Sequence, residues 1–152
     1  MYYFAYGSNL NLRGMKRRCP KSTPACAATL AGYRLEFRKF ATIVPDPSAS
    51  VQGALYELTP ACARALDKYE GPAFPRIPLT VETDNGPRAA FAYAMTEGEP
   101  SPPTPAYYTT VARGYADWKL DAAVLRRARL ASVHPAKGKQ KPTARARQGE
   151  PR

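Results

Sequence analysis

The stretch that decides the fold lies at the start of the chain and reads Tyr2-Tyr3-Phe4-Ala5-Tyr6-Gly7-Ser8-Asn9-Leu10. Its aromatic run predicts a buried strand, which the Gly-Ser-Asn segment then breaks. A strand that turns at a glycine into a helix start directs backbone N–H groups at one point, where they can bind a carboxylate or an oxyanion. The same residues also suit an ordinary strand-to-helix turn, in which Gly7 supplies the conformation and Ser8 or Asn9 caps the helix. The local pattern leaves both interpretations open.

Length and charge divide the chain into two parts. The 152 residues suit one domain with a core of its own. The chain carries 23 Lys and Arg residues against 12 Asp and Glu residues, a net charge of +11. Residues 134–152 hold six of the basic residues and one acid, and no aliphatic side chain larger than alanine. We therefore expect a folded domain over residues 1–133 and a disordered basic tail over residues 134–152.

The composition also limits the partners. A positive body favours small anionic substrates by long-range attraction. The tail would give phosphate affinity that weakens with salt, but it has no aromatic residue to stack on bases, so we expect no nucleic-acid partner. We expect no secretory signal and no membrane span, because no basic segment precedes an apolar run and no apolar stretch approaches ~20 residues. A monomer and a homodimer both remain open.

Cysteine and histidine usage argues against a metal site. The chain has three cysteines (Cys19, Cys26 and Cys62) and one histidine, His134, without the spacing of metal ligands. Free thiols suit a reducing cytoplasm, where we expect the protein to be. A glycine-rich phosphate loop is also missing from the sequence, so we expect neither a metal nor a cofactor.

Strand and helix patterns follow one another along the chain. They predict helices over residues 12–18, 60–70, 106–118 and 122–132, and strands over residues 2–6, 27–40, 51–58, 77–83 and 88–95. Prolines and polar residues at 45–48 predict a connection between two strands, and Asp84-Asn85-Gly86 predicts a hairpin turn. Gly53 indicates a bulge or a close backbone approach. The sum is an α+β fold in which a curved sheet or partial barrel is flanked by helices.

Glu70 is the acid that these elements explain least well. It lies in the last turn of a predicted helix, where the helix dipole disfavours a carboxylate, and an apolar segment follows it. Burial there would raise its pKa, as a general base near neutral pH requires. A solvent-exposed glutamate at a frayed helix end fits the same pattern. Ser8 has no histidine partner for a catalytic triad, so the chemistry would depend on one carboxylate, backbone N–H groups and tyrosines.

Several segments, taken in order, resemble one known family. They are residues 3–10, 18–20, 30–37, 41–45, 51–56, 66–71, 93–95 and 105–107, together with Gly114. With Tyr-Gly-Ser-Asn and Leu-Asp-x-x-Glu-Gly paired in this order, the chain resembles the γ-glutamylcyclotransferase superfamily, which includes the AIG2-like and BtrG-like proteins. The resemblance covers residues 2–133 and leaves the basic tail outside.

The resemblance implies a small, mixed and mostly antiparallel β-barrel flanked by helices, with a cavity between the two motifs. It implies an enzyme that cyclises a γ-glutamyl group to 5-oxoproline and releases the attached amine or amino acid without a cofactor. Glu70 would be the catalytic base and acid. Substrate binding would fall to Tyr6, Gly7, Ser8, Asn9, Leu10, Tyr93 and Tyr107.

One departure from the family pattern leaves the substrate open. Phe74 stands where many relatives have a tyrosine, so a hydroxyl that could bind substrate is missing. A γ-glutamylamine or γ-glutamyl-carrier cyclotransferase on the same fold is one alternative. A non-catalytic module that binds a small ligand is another.

Overall fold

The computed structural model describes residues 1–133, so the predicted disorder of residues 134–152 lies outside it. A short 3₁₀ turn, Ser8–Leu10, follows the first strand. None of the helices within the described range is both long and apolar enough to cross a membrane. The elements in chain order are β1 (Tyr2–Ala5), α1 (Leu12–Arg18), β2 (Thr23–Arg38), β3 (Phe40–Glu57), α2 (Pro60–Glu70), β4 (Arg76–Thr83), β5 (Gly86–Tyr93), α3 (Pro105–Asp117) and α4 (Ala122–Val133).

The five strands close into a barrel in the order β1-β3-β2-β4-β5. Neighbouring strands are antiparallel except β1 and β5, which close the barrel as a parallel pair. Removing the apolar faces of these strands from water stabilises the core. Phe4, Val51, Leu55 and Val81 are among its most buried side chains. The predicted α+β fold with a mostly antiparallel barrel and flanking helices is confirmed.

Gly53 allows β1 and β3 to approach each other closely. A Cβ atom at this position would lie 2.3 Å from the carbonyl oxygen of Ala5 and 2.7 Å from the ring of Phe4. Those distances are far inside van der Waals contact, so any other residue would push the strands apart. The predicted close backbone approach is confirmed. Its consequence is a fixed exit for the loop that follows β1.

The predicted connection between strands at residues 45–48 is wrong, because β3 runs through it. The chain reverses earlier, at Lys39, whose φ of 67° is left-handed. Tyr33 pairs with Pro45 and Ala31 pairs with Ser50, so residues 46–49 form a wide bulge opposite the skipped Gly32. Prolines are tolerated where a strand ladder is interrupted in this way. The turn-forming residues mark a bulge within one long hairpin.

Local capping sets both ends of α2 as the sequence predicts. The Thr59 hydroxyl oxygen accepts the N–H of Cys62 at 3.1 Å, and Pro60 occupies the first turn. At the other end Gly71, with φ of 78°, donates its N–H to the carbonyl oxygen of Asp67 at 3.0 Å. Glu70 is therefore the last residue of the helix.

Helix α3 packs against the loop between β1 and α1 and holds it in place. A Cβ atom on Gly114 would lie 2.6 Å from Leu10 Cβ and 2.7 Å from the backbone nitrogen of Asn11. The indole N–H of Trp118 donates to the carbonyl oxygen of Leu10 at 2.9 Å. The side chain of Asn11 donates to the carbonyl oxygen of Thr110 at 3.2 Å. The loop is thus clamped from α3 as well as from β1.

Candidate active site

A cavity of about 380 Å³ opens between the loop after β1 and the end of α2. Its volume lies near the lower end of the range for small-molecule sites. We call its more buried part the floor, which consists of Tyr3, Tyr6, Gly7, Ser8, Asn9 and Glu70. We call its outer, aromatic part the rim, which consists of Phe40, Tyr69 and Phe74. Arg18, Ala41, Tyr93, Tyr107 and Thr110 complete the lining.

The loop residues of the floor form a tight turn that leaves two backbone donors available. Leu10 N–H donates to the carbonyl oxygen of Gly7 at 3.0 Å, and Asn11 N–H donates to that of Ser8 at 3.1 Å. Within residues 1–133, the N–H groups of Ser8 and Asn9 have no hydrogen-bond acceptor. These two groups can therefore donate to a ligand oxygen.

Gly7 keeps the loop close to the opposite wall of the cavity. A Cβ atom on Gly7 would lie 3.2 Å from Ala41 Cβ and 3.4 Å from the Tyr107 hydroxyl oxygen. The same hydroxyl oxygen accepts the N–H of Ala41 at 3.0 Å. A methyl group at position 7 would require Ala41 to shift by a few tenths of an ångström. The glycine here serves close packing.

Asn9 connects the parts of the floor by hydrogen bonds. Its side-chain amide donates to the Tyr3 hydroxyl oxygen at 2.9 Å and to Glu70 Oε2 at 3.4 Å. Its side-chain oxygen accepts from Arg18 Nη1 at 2.7 Å, and its carbonyl oxygen accepts from the Tyr56 hydroxyl at 2.8 Å. Because a guanidinium can only donate, Arg18 fixes the amide with its NH₂ group towards Glu70.

The environment of Glu70 suits a proton acceptor. Burial raises the pKa of its carboxyl to about 7, because desolvation disfavours the ionised form. The positive charge of Arg18 and the hydrogen bond from Asn9 act in the opposite direction. At neutral pH the group is therefore divided between its two forms, so it can both accept and return a proton.

The cavity tyrosines are held as neutral hydroxyls. Burial raises the pKa of Tyr107 to about 12, and it also raises the pKa values of Tyr6 and Tyr93. The Tyr6 hydroxyl donates to the carbonyl oxygen of Tyr93. The Tyr93 hydroxyl donates to Asp67 Oδ1 at 2.6 Å, on the side of a neighbouring recess. Their rings shape the cavity, and their hydroxyls are largely engaged with the protein.

The structure brings together seven of the eight predicted site residues, namely Tyr6, Gly7, Ser8, Asn9, Glu70, Tyr93 and Tyr107. Leu10 is the exception. Its side chain is fully buried in the core, and its N–H is already bonded to Gly7. This placement does not support the predicted binding role of Leu10.

Sequence reasoning missed Arg18, because a run of three basic residues, Lys16 to Arg18, in the last turn of a predicted helix favours a solvated helix end. Lys16 and Arg17 are indeed exposed, but Arg18 lines the cavity and its guanidinium lies 4.5 Å from the centre of the Tyr69 ring. Helical spacing could have found it. Arg18 lies four and three residues after the buried Gly14 and Met15, on the same face of α1.

Fold and site together define a class: a small closed barrel with a cavity in which a carboxylate of raised pKa faces a loop of backbone donors. The comparisons with known proteins agree with that class. Residues 3–119 match the family described as gamma-glutamyl cyclotransferase, AIG2-like. The chain belongs to this family, and its membership supports an enzyme of γ-glutamyl cyclotransferase type.

Individual relatives support the assignment. The chain is 30% identical over 128 residues to the gamma-glutamylcyclotransferases of Mus musculus and of Homo sapiens, an alignment that covers 74% of this chain and 68% of each relative. A solved structure of a gamma-glutamyl cyclotransferase superposes with a TM-score of 0.77 at 26% identity, over 84% of this chain and 85% of the other. Sequence and fold therefore indicate the same family.

Proposed function

We propose that this protein cyclises the γ-glutamyl group of a small substrate to 5-oxoproline and that Glu70 carries out the proton transfers. The observation that carries the proposal is the position of Glu70: its carboxylate oxygen lies 3.4 Å from the Asn9 amide in the cavity, and its pKa is raised to about 7. A base whose pKa lies near the working pH combines a useful ionised fraction with a strong drive to accept a proton.

In the proposed reaction, Glu70 accepts a proton from the α-ammonium group of the substrate. The freed amine nitrogen attacks the side-chain carbonyl carbon of the same γ-glutamyl residue. A new C–N bond closes the five-membered lactam, the bond to the leaving nitrogen breaks, and Glu70 returns its proton to that nitrogen. The ring nitrogen then gives up its second proton, which Glu70 passes to the released amine, so the products are a neutral lactam and an ammonium group. No water is consumed and no protein atom is acylated, so Ser8 stays unmodified.

The floor would lower the barrier in two ways. The amine and the carbonyl belong to one molecule, so no second reactant has to be brought in. A cavity that holds the substrate folded back keeps these two groups close together, which lowers the activation barrier. The free N–H groups of Ser8 and Asn9 can donate to substrate oxygens, including a carbonyl oxygen that gains negative charge as the ring closes. The protein then supplies position, donors and a single base.

Replacing Glu70 with glutamine tests the proposal. Glu70→Gln keeps the shape of the side chain but removes the base, so we expect the release of 5-oxoproline from γ-glutamyl dipeptides to fall by roughly 10³-fold. Circular dichroism and thermal unfolding would establish that the variant is folded. The matched control is Glu82→Gln, at an exposed position on β4, which should keep the wild-type rate. Wild-type activity in folded Glu70→Gln protein would overturn the role of Glu70.

The alternatives give different results in the same assay. A γ-glutamylamine or γ-glutamyl-carrier enzyme would release 5-oxoproline from those compounds and spare the dipeptides. A binding module would bind γ-glutamyl compounds and release no 5-oxoproline from any of them. Mass spectrometry of the protein during turnover should find no acyl adduct on Ser8.

A further inference from the structure

Exposed aromatic side chains concentrate at the rim of the cavity. Within residues 1–133 the large apolar side chains that stay exposed are Met1, Phe40, Tyr69, Leu130 and Val133. Two of them, Phe40 at 42% and Tyr69 at 53% exposure, line this one cavity. Phe74 lies beside them, half-buried. An apolar patch next to a reaction site indicates a surface that the substrate covers.

Contacts hold one side of this rim in place. The Phe40 ring lies edge-on to the Tyr107 ring at 5.3 Å and to the Phe74 ring at 6.4 Å, measured between centroids. The hairpin tip that carries Phe40 is tied down, because Lys39 N–H donates to the carbonyl oxygen of Ser101 at 2.9 Å. A preformed row of rings can accept another ring at a low cost in conformational entropy.

The charge around the rim is positive. The Arg18 guanidinium lies over the Tyr69 ring at 4.5 Å, and the Lys39 ammonium lies 5.8 Å from the centre of the Phe40 ring. Among the described residues that line the cavity, Glu70 is the one acid. The nearby Asp67 is engaged by Arg76, which donates to both of its carboxylate oxygens at 2.7 Å. The rim therefore suits a carboxylate and offers little to a second ammonium group.

We infer that the leaving part of the substrate is an α-amino acid with an aromatic or other large apolar side chain. Its side chain packs against Phe40, Phe74 and Tyr69, and the positive charges of Arg18 and Lys39 attract its carboxylate. This inference rests on the proposed cyclotransferase function. It specifies the leaving group of the substrate, which the residues of the floor do not determine. A phenylalanine ring in this position extends the row formed by Tyr107, Phe40 and Phe74.

A panel of three substrates tests the inference through 5-oxoproline release. The probes are γ-glutamylphenylalanine, γ-glutamylalanine and the γ-glutamyl derivative of 1,4-diaminobutane, whose leaving group is cationic. We expect kcat/KM for the phenylalanine compound to exceed that for the alanine compound by about 10-fold, since apolar contacts of this size discriminate to that degree. The cationic probe should be the poorest of the three. Equal or better turnover of the alanine or the cationic probe would overturn the inference.

Rim variants test the same preference by a second route. Phe40→Ala and Phe74→Ala should lower kcat/KM more for γ-glutamylphenylalanine than for γ-glutamylalanine, so the ratio falls several-fold. The control is Leu130→Ala, an exposed apolar side chain on α4 outside the cavity lining, which should keep the wild-type ratio. An unchanged ratio in both phenylalanine variants would contradict the packing.

Failure of the inference and failure of the proposed function give different results. If none of the three probes yields 5-oxoproline, the cyclotransferase proposal itself fails. If they yield 5-oxoproline but the alanine or cationic probe is preferred, the reaction stands and the assignment of the leaving group fails. Lys39→Asn adds a test of charge, because asparagine tolerates the left-handed backbone at this position. The variant should reduce the preference for γ-glutamylphenylalanine over the cationic probe.

Discussion

The floor and the rim of the cavity are built differently. In the floor, Tyr3 and Asn9 are buried, and the side-chain amide of Asn9 donates hydrogen bonds to the Tyr3 hydroxyl and to Glu70. In the rim, Phe40 and Tyr69 are largely exposed and contact their neighbours through ring faces and edges. Polar groups fixed in a buried network act on one chemical group in one position. Aromatic surfaces that are open to solvent discriminate between substrates by the shape and the apolar area of the group that packs on them.

This difference separates reaction from substrate choice. Residues 6–9 of the floor belong to a loop that two neighbouring elements clamp, so the backbone donors of this loop keep one arrangement. The rim lies on a hairpin tip, on the last turn of α2 and on the segment after it, where a change of side chain disturbs little else. Phe74 illustrates the point. Compared with the tyrosine of many relatives, it removes a hydroxyl from the wall of the cavity, and it takes no part in the hydrogen bonds around Glu70. Substitutions in the floor should therefore affect all substrates, and those in the rim should affect some.

The largest effect outside Glu70 is expected where α3 meets the loop. Gly114→Ala would place a methyl group 2.7 Å from the Asn11 nitrogen, a backbone atom that cannot move aside freely. We expect a loss of about 3 kcal/mol in the free energy of unfolding, measured by urea denaturation. The exposed neighbour Arg113→Ala should change it by less than ~0.5 kcal/mol. Equal stability of both variants would mean that the contact between α3 and the loop after β1 is not rigid.

Asn9→Ala should reduce turnover of every substrate alike. It removes the amide that donates to Glu70 and to Tyr3 and leaves Arg18 without its acceptor. We expect kcat/KM to fall by roughly 100-fold for γ-glutamylphenylalanine and γ-glutamylalanine together, because donors positioned in an active site contribute on this scale. Asn85→Ala, in the exposed hairpin turn, is the control. A loss confined to one of the two dipeptides would contradict the claim that substitutions in the floor affect all substrates alike.

Arg18→Gln should have a smaller effect that sharpens the comparison, since Arg18 contacts both regions. Its charge lowers the pKa of Glu70 and its guanidinium holds the Asn9 amide. Without it we expect ~10-fold lower kcat/KM near neutral pH, with the acidic limb of the pH profile displaced to higher pH. The exposed Arg17→Gln should keep both rate and profile. An Arg18→Gln profile that superposes on the wild type would remove the electrostatic role.

Much of the fold could be predicted because short stretches of sequence, such as helix caps and turn residues, determine where its elements begin and end. Thr59-Pro60 and Gly71 set the ends of α2, and Asp84-Asn85-Gly86 marks the turn between β4 and β5. The seven site residues that meet in the cavity followed from two short motifs and a family resemblance. Each of these features depends on a few adjacent residues.

Other features depend on contacts between distant parts of the chain and could not be predicted. The reversal at Lys39 has no glycine or asparagine to mark it, although it places Phe40 at the cavity. The alternation along residues 33–38 predicts that Glu36 lies on the polar face of a strand, yet it is buried with Arg34 and Arg38 bound to its two oxygens. Alternation along a strand gives two faces, and a closed barrel with a helix outside can bury both.

The pH dependence of wild-type turnover tests the central claim most directly. Glu70 must be ionised to accept the substrate proton, so kcat/KM for a γ-glutamyl dipeptide should fall tenfold per pH unit on the acidic side of a midpoint near pH 7. The substrate ammonium group does not titrate between pH 5 and pH 7, so the acidic limb of the profile reports the ionisation of a group on the enzyme. A midpoint near 7 is the result we predict. A profile that stays flat down to pH 5 would show that no base of raised pKa acts in this cavity.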